Sequence, residues 1–113
     1  MRQHVRLLRV AREILACDGA WTKGAFARKS DGQPIDPFHP NACSFCALGA
    51  LDRASKLTGL YGVRSQASRA LDETIGPRSR YYRVVWFNDY STRTQAQVVA
   101  LFDKAIAREA RCS

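Results

Sequence analysis

The chain has 113 residues, enough for one hydrophobic core but not for two, so a single domain over residues 1–113 is predicted. Hydrophobic residues make up 46% of the chain and charged residues 25%, proportions that exclude a disordered or low-complexity protein. Eighteen Lys and Arg against ten Asp and Glu leave a net charge of +8, which favours a negatively charged partner.

The first predicted element is a helix from Arg2 to Cys17, because its apolar side chains recur at helical spacing. Its opposite face carries Arg2, Arg6 and Arg9. His4 falls on the apolar side and is interpreted as a packing residue. Arginines interrupt every apolar run here, so neither a signal peptide nor a membrane helix is predicted, and we expect a cytoplasmic protein without a membrane partner.

Residues 20–41 are predicted to form a long irregular segment, since prolines recur in its second half. A minor β-hairpin is expected there, with one arm at Ala25–Lys29 and the other near Gln33–Ile35, joined by an Asp-Gly turn. Trp21 and Phe26 are expected to fold this segment back onto the core.

A central helix is predicted from Ala42 to Leu57, with Asn41 as its N-cap and Gly59 as its stop. Its first half is apolar on nearly every side, which is typical of a helix at the centre of a fold. Cys46 and Gly49 lie on a face made of small side chains, so another element is expected to approach that face closely.

Two more helices are predicted in the second half of the chain. One runs from about Ser65 to Ile75, and the other follows a capping box at Thr94–Gln97 and extends to Arg111. Between them, residues 81–87 fit either a strand or a helical turn that carries Trp86 and Phe87 into the core. The predicted fold is therefore mainly α, a compact bundle of about four helices around the buried central one.

Three motifs in chain order resemble a family of small uncharacterised bacterial and phage proteins, a domain of unknown function. They are Trp21-Thr22-x-Gly24, Cys46-Ala47-Leu48-Gly49-Ala50, and Asn88-Asp89 followed by Thr94. In that family the last motif usually reads Trp-Asn-Asp, whereas Phe87 separates Trp86 from Asn88 here. The resemblance implies the architecture and no activity. Structural roles are therefore expected for Trp21, Gly24, Cys46, Gly49, Asn88, Asp89 and Thr94.

Asn88 and Asp89 are interpreted as turn residues whose side chains bond to backbone amides, and one of them is expected to anchor the irregular segment from inside.

The cysteines carry the only pattern with metal-ligand spacing, His39-x3-Cys43-x2-Cys46, to which Cys17 or Cys112 would add a fourth ligand. Strong zinc modules contain two paired ligand sets and this chain has one, so buried thiols without a cofactor are predicted. A zinc site, a redox dithiol, and a nucleophilic Cys46 assisted by His39 and by Asn88 or Asp89 stay open as alternatives.

Arginine-rich regions point to the function. One is the helical stripe Arg2, Arg6 and Arg9; the other holds Arg78, Arg80 and Arg83 beside Tyr81 and Tyr82. Guanidinium groups beside aromatic rings are typical of nucleic-acid contacts. The sequence predicts a non-enzymatic basic protein that binds nucleic acid or an acidic protein surface. The alternatives are an interaction or inhibitor protein of the phage–host kind, and a cysteine- or zinc-dependent activity centred on Cys46.

Overall fold

The computed structural model describes residues 2–80 and 82–111. Its helices are α1 (Gln3–Ala16), α2 (Ala47–Thr58), α3 (Arg64–Ile75), α4 (Val84–Asp89) and α5 (Gln95–Arg111). A short antiparallel sheet pairs β1 (Ala27–Arg28) with β2 (Ser44–Phe45), and a 3₁₀ helix (Tyr61–Val63) leads into α3. The mainly α fold with a minor two-stranded sheet is as predicted.

The core lies where α1 packs against both α2 and α5, with α3 closing one side. The apolar faces read from the sequence meet there, and Leu7, Leu51, Leu71 and Phe102 are fully buried. His4 is buried with them, and its Nε2 lies 2.6 Å from the Glu109 carboxylate, so its interpretation as a packing residue is confirmed. None of the helices described is long and apolar enough to cross a membrane.

The predicted start of the central helix is wrong. Cys46 is the N-cap of α2, and Asn41 lies in the preceding loop. The apolar stretch before Cys46 forms β2, because the Phe45 N–H donates to the Ala20 carbonyl at 2.7 Å and its carbonyl accepts from Thr22 at 3.0 Å. Apolar runs do not distinguish a buried strand from a buried helix, so the long-range pairing decided. The predicted stop at Gly59 is confirmed, with a left-handed φ of 76°.

The hairpin forms only in part. Arg28 faces Pro34 in a single bridge. Two backbone hydrogen bonds join the predicted arms: the Lys29 N–H donates to the Gln33 carbonyl at 2.9 Å, and the Ile35 N–H donates to the Ala27 carbonyl at 3.0 Å. The strand that pairs with β1 in the sheet is β2, a segment predicted to be helical. Phe26 is 52% exposed, so the expectation that its ring packs on the core is wrong.

In the second half of the chain, two predictions about helix ends are wrong and one is confirmed. Ser65 does not cap α3, because the 3₁₀ helix continues directly into it and Ser65 lies inside the helix. The stretch 81–87, which the sequence allows to be either a strand or a helical turn, is helical from Val84 onwards. Asn88 and Asp89 therefore end α4 instead of forming a turn. The capping box is present: the Thr94 N–H donates to Gln97 Oε1 at 3.0 Å, and the Gln97 N–H donates to Thr94 Oγ1 at 3.2 Å.

Candidate functional site

Motifs that are far apart in the chain meet at the side chain of Asn88, which is 1% exposed. Its Oδ1 accepts the indole N–H of Trp21 at 2.8 Å and the backbone N–H of Ala47 at 3.0 Å. Its Nδ2 donates to the Thr22 carbonyl at 3.1 Å and to the Asp89 carboxylate at 2.9 Å. Both acceptor and both donor positions of the amide are thus filled, so Asn88 joins three segments and has no position left for a ligand.

Asp89 continues this attachment. Its Oδ1 also accepts the N–H of Gly24 at 3.1 Å, and Gly24 has the left-handed φ of 76° that suits a residue without a Cβ. The Lys23 ammonium donates to the carbonyls of Tyr90 and Ser91, both at 2.8 Å, just beyond the end of α4. Hydrogen bonds therefore hold the segment after α1 against the end of α4. This agrees with the expectation that Asn88 or Asp89 anchors the irregular segment.

Gly49 allows the same segment to lie directly on α2. A Cβ added at Gly49 would stand 1.8 Å from the carbonyl oxygen of Phe26. That oxygen accepts the N–H of Cys46 at 3.1 Å, so its position is held by the start of the helix. The predicted close approach to this face is confirmed, and the approaching group is a backbone carbonyl.

Among the cysteines that the structure describes, the prediction of buried thiols is confirmed for Cys46 and wrong for Cys17 and Cys43, which are exposed. Cys46 caps α2 from a buried position. Its side chain is 4% exposed, and Sγ accepts the N–H of Gly49 at 3.3 Å. Burial raises the pKa of the Cys46 thiol above its ordinary value, and the charges of Asp89 and Asp52 raise it further, against the lowering by backbone N–H groups. Nucleophilic cysteines act as thiolates, so this environment favours a packed, protonated thiol.

This environment predicts selective alkylation. In native protein at neutral pH, iodoacetamide is expected to modify the exposed Cys17 and Cys43 and to leave Cys46 unmodified until the chain is unfolded. Peptide mass spectrometry after native and urea-denatured labelling measures this, and a Cys43→Ser variant keeps the two neighbouring thiols distinct. Equal labelling rates for Cys46 and Cys17 in the native protein would support the nucleophile alternative instead.

The suggested partners of Cys46 are engaged elsewhere. His39 Nδ1 accepts the N–H of Asn41 at 3.0 Å, and the Cys43 thiol donates to the Asn41 carbonyl at 3.4 Å. Within residues 2–80 and 82–111, no group of three His, Cys, Asp or Glu side chains is placed to hold a metal ion. The structure therefore does not assemble His39, Cys43 and Cys46 as ligands. Cys112 lies outside the described residues.

Cys46 and Asp89 do meet at one cavity of about 200 Å³, lined also by Gly24, Ala25, Phe26 and Val85. The lining is mostly apolar. One Asp89 oxygen already accepts two hydrogen bonds there. A neighbouring carboxylate disfavours the thiolate, so this pair does not resemble an activated nucleophile.

The first arginine surface, defined by Arg2, Arg6 and Arg9, lies on the outer side of α1, and all three side chains are exposed. None of them forms an ion pair within the described chain. Arg12, one turn further on, donates instead to Asp103 at 2.9 Å and to Glu13 at 3.1 Å. Arg9 lines a pocket together with Glu13 and Asp103, so the positive charge of the first surface is partly offset there, although none of the three arginines is ion-paired among the residues described.

The second arginine surface, defined by Arg78, Arg80 and Arg83, lies between α3 and α4. These side chains are also exposed and without an ion pair among the residues described. The exposed rings of Tyr82 and Trp86 stand edge to face beside them, with centroids 5.5 Å apart. Tyr81, also predicted to take part, lies outside the described residues.

A shallow groove of about 490 Å³ is lined by both Arg80 and Trp86, so a guanidinium group and an aromatic ring face the same space. Tyr90, Ser91 and the Asp89 carboxylate complete the lining. The groove therefore offers one guanidinium group, two aromatic rings and one carboxylate that is already hydrogen-bonded to the fold.

The comparison with protein families identifies the chain. A model for a family of unknown function, DUF6197, matches residues 1–108. The chain belongs to the DUF6197 family. No curated protein and no solved structure matches it. The match agrees with the resemblance to a domain of unknown function, and it supplies no activity.

In this DUF6197 protein, the expectation that a helical turn carries both Trp86 and Phe87 into the core is wrong for Trp86. Phe87, next to it, packs against the core, whereas Trp86 is 51% exposed. The two side chains point different ways because consecutive residues of a helix are rotated by about 100°. Once α4 is known to be a helix, only one of the two can face inwards.

Proposed function

We propose that this protein is a non-enzymatic binding protein of the cytoplasm that contacts single-stranded nucleic acid through its two arginine surfaces. One observation carries the proposal: the six exposed guanidinium groups of the two arginine surfaces form no ion pair within the described chain. An unpaired guanidinium can bind phosphate oxygens through two parallel hydrogen bonds, which suits a phosphodiester backbone.

Exposed rings favour nucleic acid over an acidic protein surface as the partner. Trp86 lines one groove with Arg80, and its ring stands against that of Tyr82, so bases could stack on the rings while phosphates contact the guanidinium groups. Stacking of a base on an aromatic side chain contributes about 1–3 kcal/mol. A duplex keeps its bases stacked within the helix, so a single strand suits this second surface best.

Charge reversal on α1 tests the proposal. We expect the Arg6→Glu/Arg9→Glu variant to bind fluorescein-labelled oligothymidylate at least about tenfold more weakly than the wild type, with a shallower salt dependence. Fluorescence anisotropy at several salt concentrations measures both quantities. Arg69→Glu/Arg111→Glu is the matched control, because it makes the same change at two exposed arginines on α3 and α5 that have no ion pair among the residues described. Unchanged affinity in the Arg6/Arg9 variant would rule the first surface out.

Trp86→Ala examines the second surface in the same assay. Its exposed ring can be removed with little effect on stability, so we expect weaker oligothymidylate binding with an unchanged salt dependence. Arg80→Gln should instead reduce the salt dependence.

A wild type that binds polyglutamate but not oligothymidylate would point to the acidic-protein partner. The phage–host type of interaction stays a prediction, since no contact described here bears on it.

A further inference from the structure

A cleft of about 300 Å³ lies beside Phe87, between α3 and the first half of α5. Ile75, Phe87 and Leu101 supply much of its apolar wall, and Ala100 lies at the exposed side of α5. The volume is at the lower end of the range of about 300–1,000 Å³ typical of small-molecule sites. The cleft differs from the groove at Arg80 and Trp86, because the two share no lining residue.

The charge at this cleft is positive. Its lining contains Arg93 and Lys104 and, of the residues described, no carboxylate. Neither cation forms an ion pair within the described chain. Asp103, next to Lys104 in sequence, is bonded to Arg12 of α1, so its charge is engaged away from the lining. An anion entering the cleft would therefore meet two cations and no competing acid.

Arg93 is held in position before any ligand arrives. Its guanidinium carbon lies 3.6 Å from the centroid of the Phe87 ring, and Nε donates to the Phe87 carbonyl at 2.7 Å. Neither terminal nitrogen of Arg93 has a hydrogen-bond partner among the residues described, and a guanidinium that is already ordered loses less entropy on binding. Thr74, which also lines the cleft, accepts a hydrogen bond from Arg108 at 3.0 Å, although Arg108 itself is not part of the lining.

We propose that this cleft binds a small organic carboxylate with an apolar body. The carboxylate accepts hydrogen bonds from Arg93 and lies near the Lys104 ammonium, while the apolar body packs on Ile75 and Leu101. Inorganic phosphate would satisfy the cations but leave the apolar wall in water, so a ligand with both parts binds best. The site does not depend on the proposed nucleic-acid surfaces, since it uses different residues.

The probe is naphthalene-2-carboxylate, and its binding to the full chain is followed by NMR titration and by its own fluorescence. We expect saturable binding to the wild type, at least about tenfold weaker binding of the neutral 2-naphthylmethanol, and still weaker binding of inorganic phosphate. Equal affinity for the neutral alcohol would overturn the proposal, as would the absence of saturable binding by the carboxylate.

Paired substitutions on α5 locate the site. Ala100→Glu places a carboxylate at the exposed side of the cleft and is expected to weaken binding at least about tenfold. Ala107→Glu makes the same change two turns along the same helix, outside the lining, and is expected to leave the affinity within about twofold. Lys104→Gln should weaken binding, while Arg6→Glu/Arg9→Glu should retain it. Equal effects of the two alanine substitutions, with both variants folded by NMR, would overturn the assignment.

Discussion

Gly49→Ala is expected to lower the free energy of unfolding by at least about 3 kcal/mol, the upper end of the usual range for overpacked sites. The added Cβ would stand 1.8 Å from the Phe26 oxygen and 2.8 Å from its carbonyl carbon. Both are backbone atoms, so no side-chain rotation relieves the overlap. Alanine is the better helix former by about 1 kcal/mol, and the clash outweighs this gain.

Urea denaturation followed by circular dichroism measures the effect of Gly49→Ala. Gly62→Ala is the matched control, because its added Cβ would meet no atom within 4 Å and Gly62 has no positive φ. The control is expected to change stability by less than about 1 kcal/mol. A Gly49→Ala protein as stable as the wild type would show that the Phe26 segment does not lie on α2 as described.

Asn88→Ala is expected to lower the free energy of unfolding by about 3–5 kcal/mol. The substitution removes the partners of the Trp21 indole N–H, the Ala47 backbone N–H and the Thr22 carbonyl. Each polar group left buried without a partner costs about 1–3 kcal/mol. Such a loss is a large share of the total stability of a small domain, which is about 5–15 kcal/mol.

Thermal and urea unfolding provide the measurement, and Asn41→Ala is the control for the same chemical change. Asn41 lies exposed in the loop before β2, so its variant is expected to differ from the wild type by less than about 0.5 kcal/mol. Trp21 fluorescence should also shift in Asn88→Ala, because the indole loses its hydrogen bond. If Asn88→Ala and Asn41→Ala unfold at the same temperature and the same urea concentration, the Asn88 side chain does not join the three segments.

These stability predictions separate the motif residues from the proposed binding surfaces. Asn88 and Gly49 make contacts inside the fold. Their replacement should therefore lower the free energy of unfolding, while the molecules that remain folded keep their affinity for oligothymidylate. Arg6, Arg9 and Trp86 are exposed, so their replacement should reduce affinity while stability stays nearly constant. Measuring both quantities on one set of variants distinguishes a structural role from a binding role.

The sequence by itself determined α1 and α5, the end of α2 and the mainly α class. Their apolar residues recur at 3.6-residue spacing over several turns, and local signals such as the Thr94 capping box and Gly59 mark their ends. The exposure of Arg2, Arg6 and Arg9 follows from the same periodicity, because burying one face of α1 leaves the opposite face in water.

Only the tertiary structure decided the start of α2, the role of Asn88 and the exposure of Trp86. The residues before Cys46 are apolar enough for a helix, and they form β2 because β1 and the Trp21 segment offer backbone partners. Asn88 bonds to Trp21 across 67 residues of sequence. A local pattern specifies how a segment can fold, but buried hydrogen-bonding groups are paired by whichever distant segment packs beside them, and only the assembled core determines which segment that is.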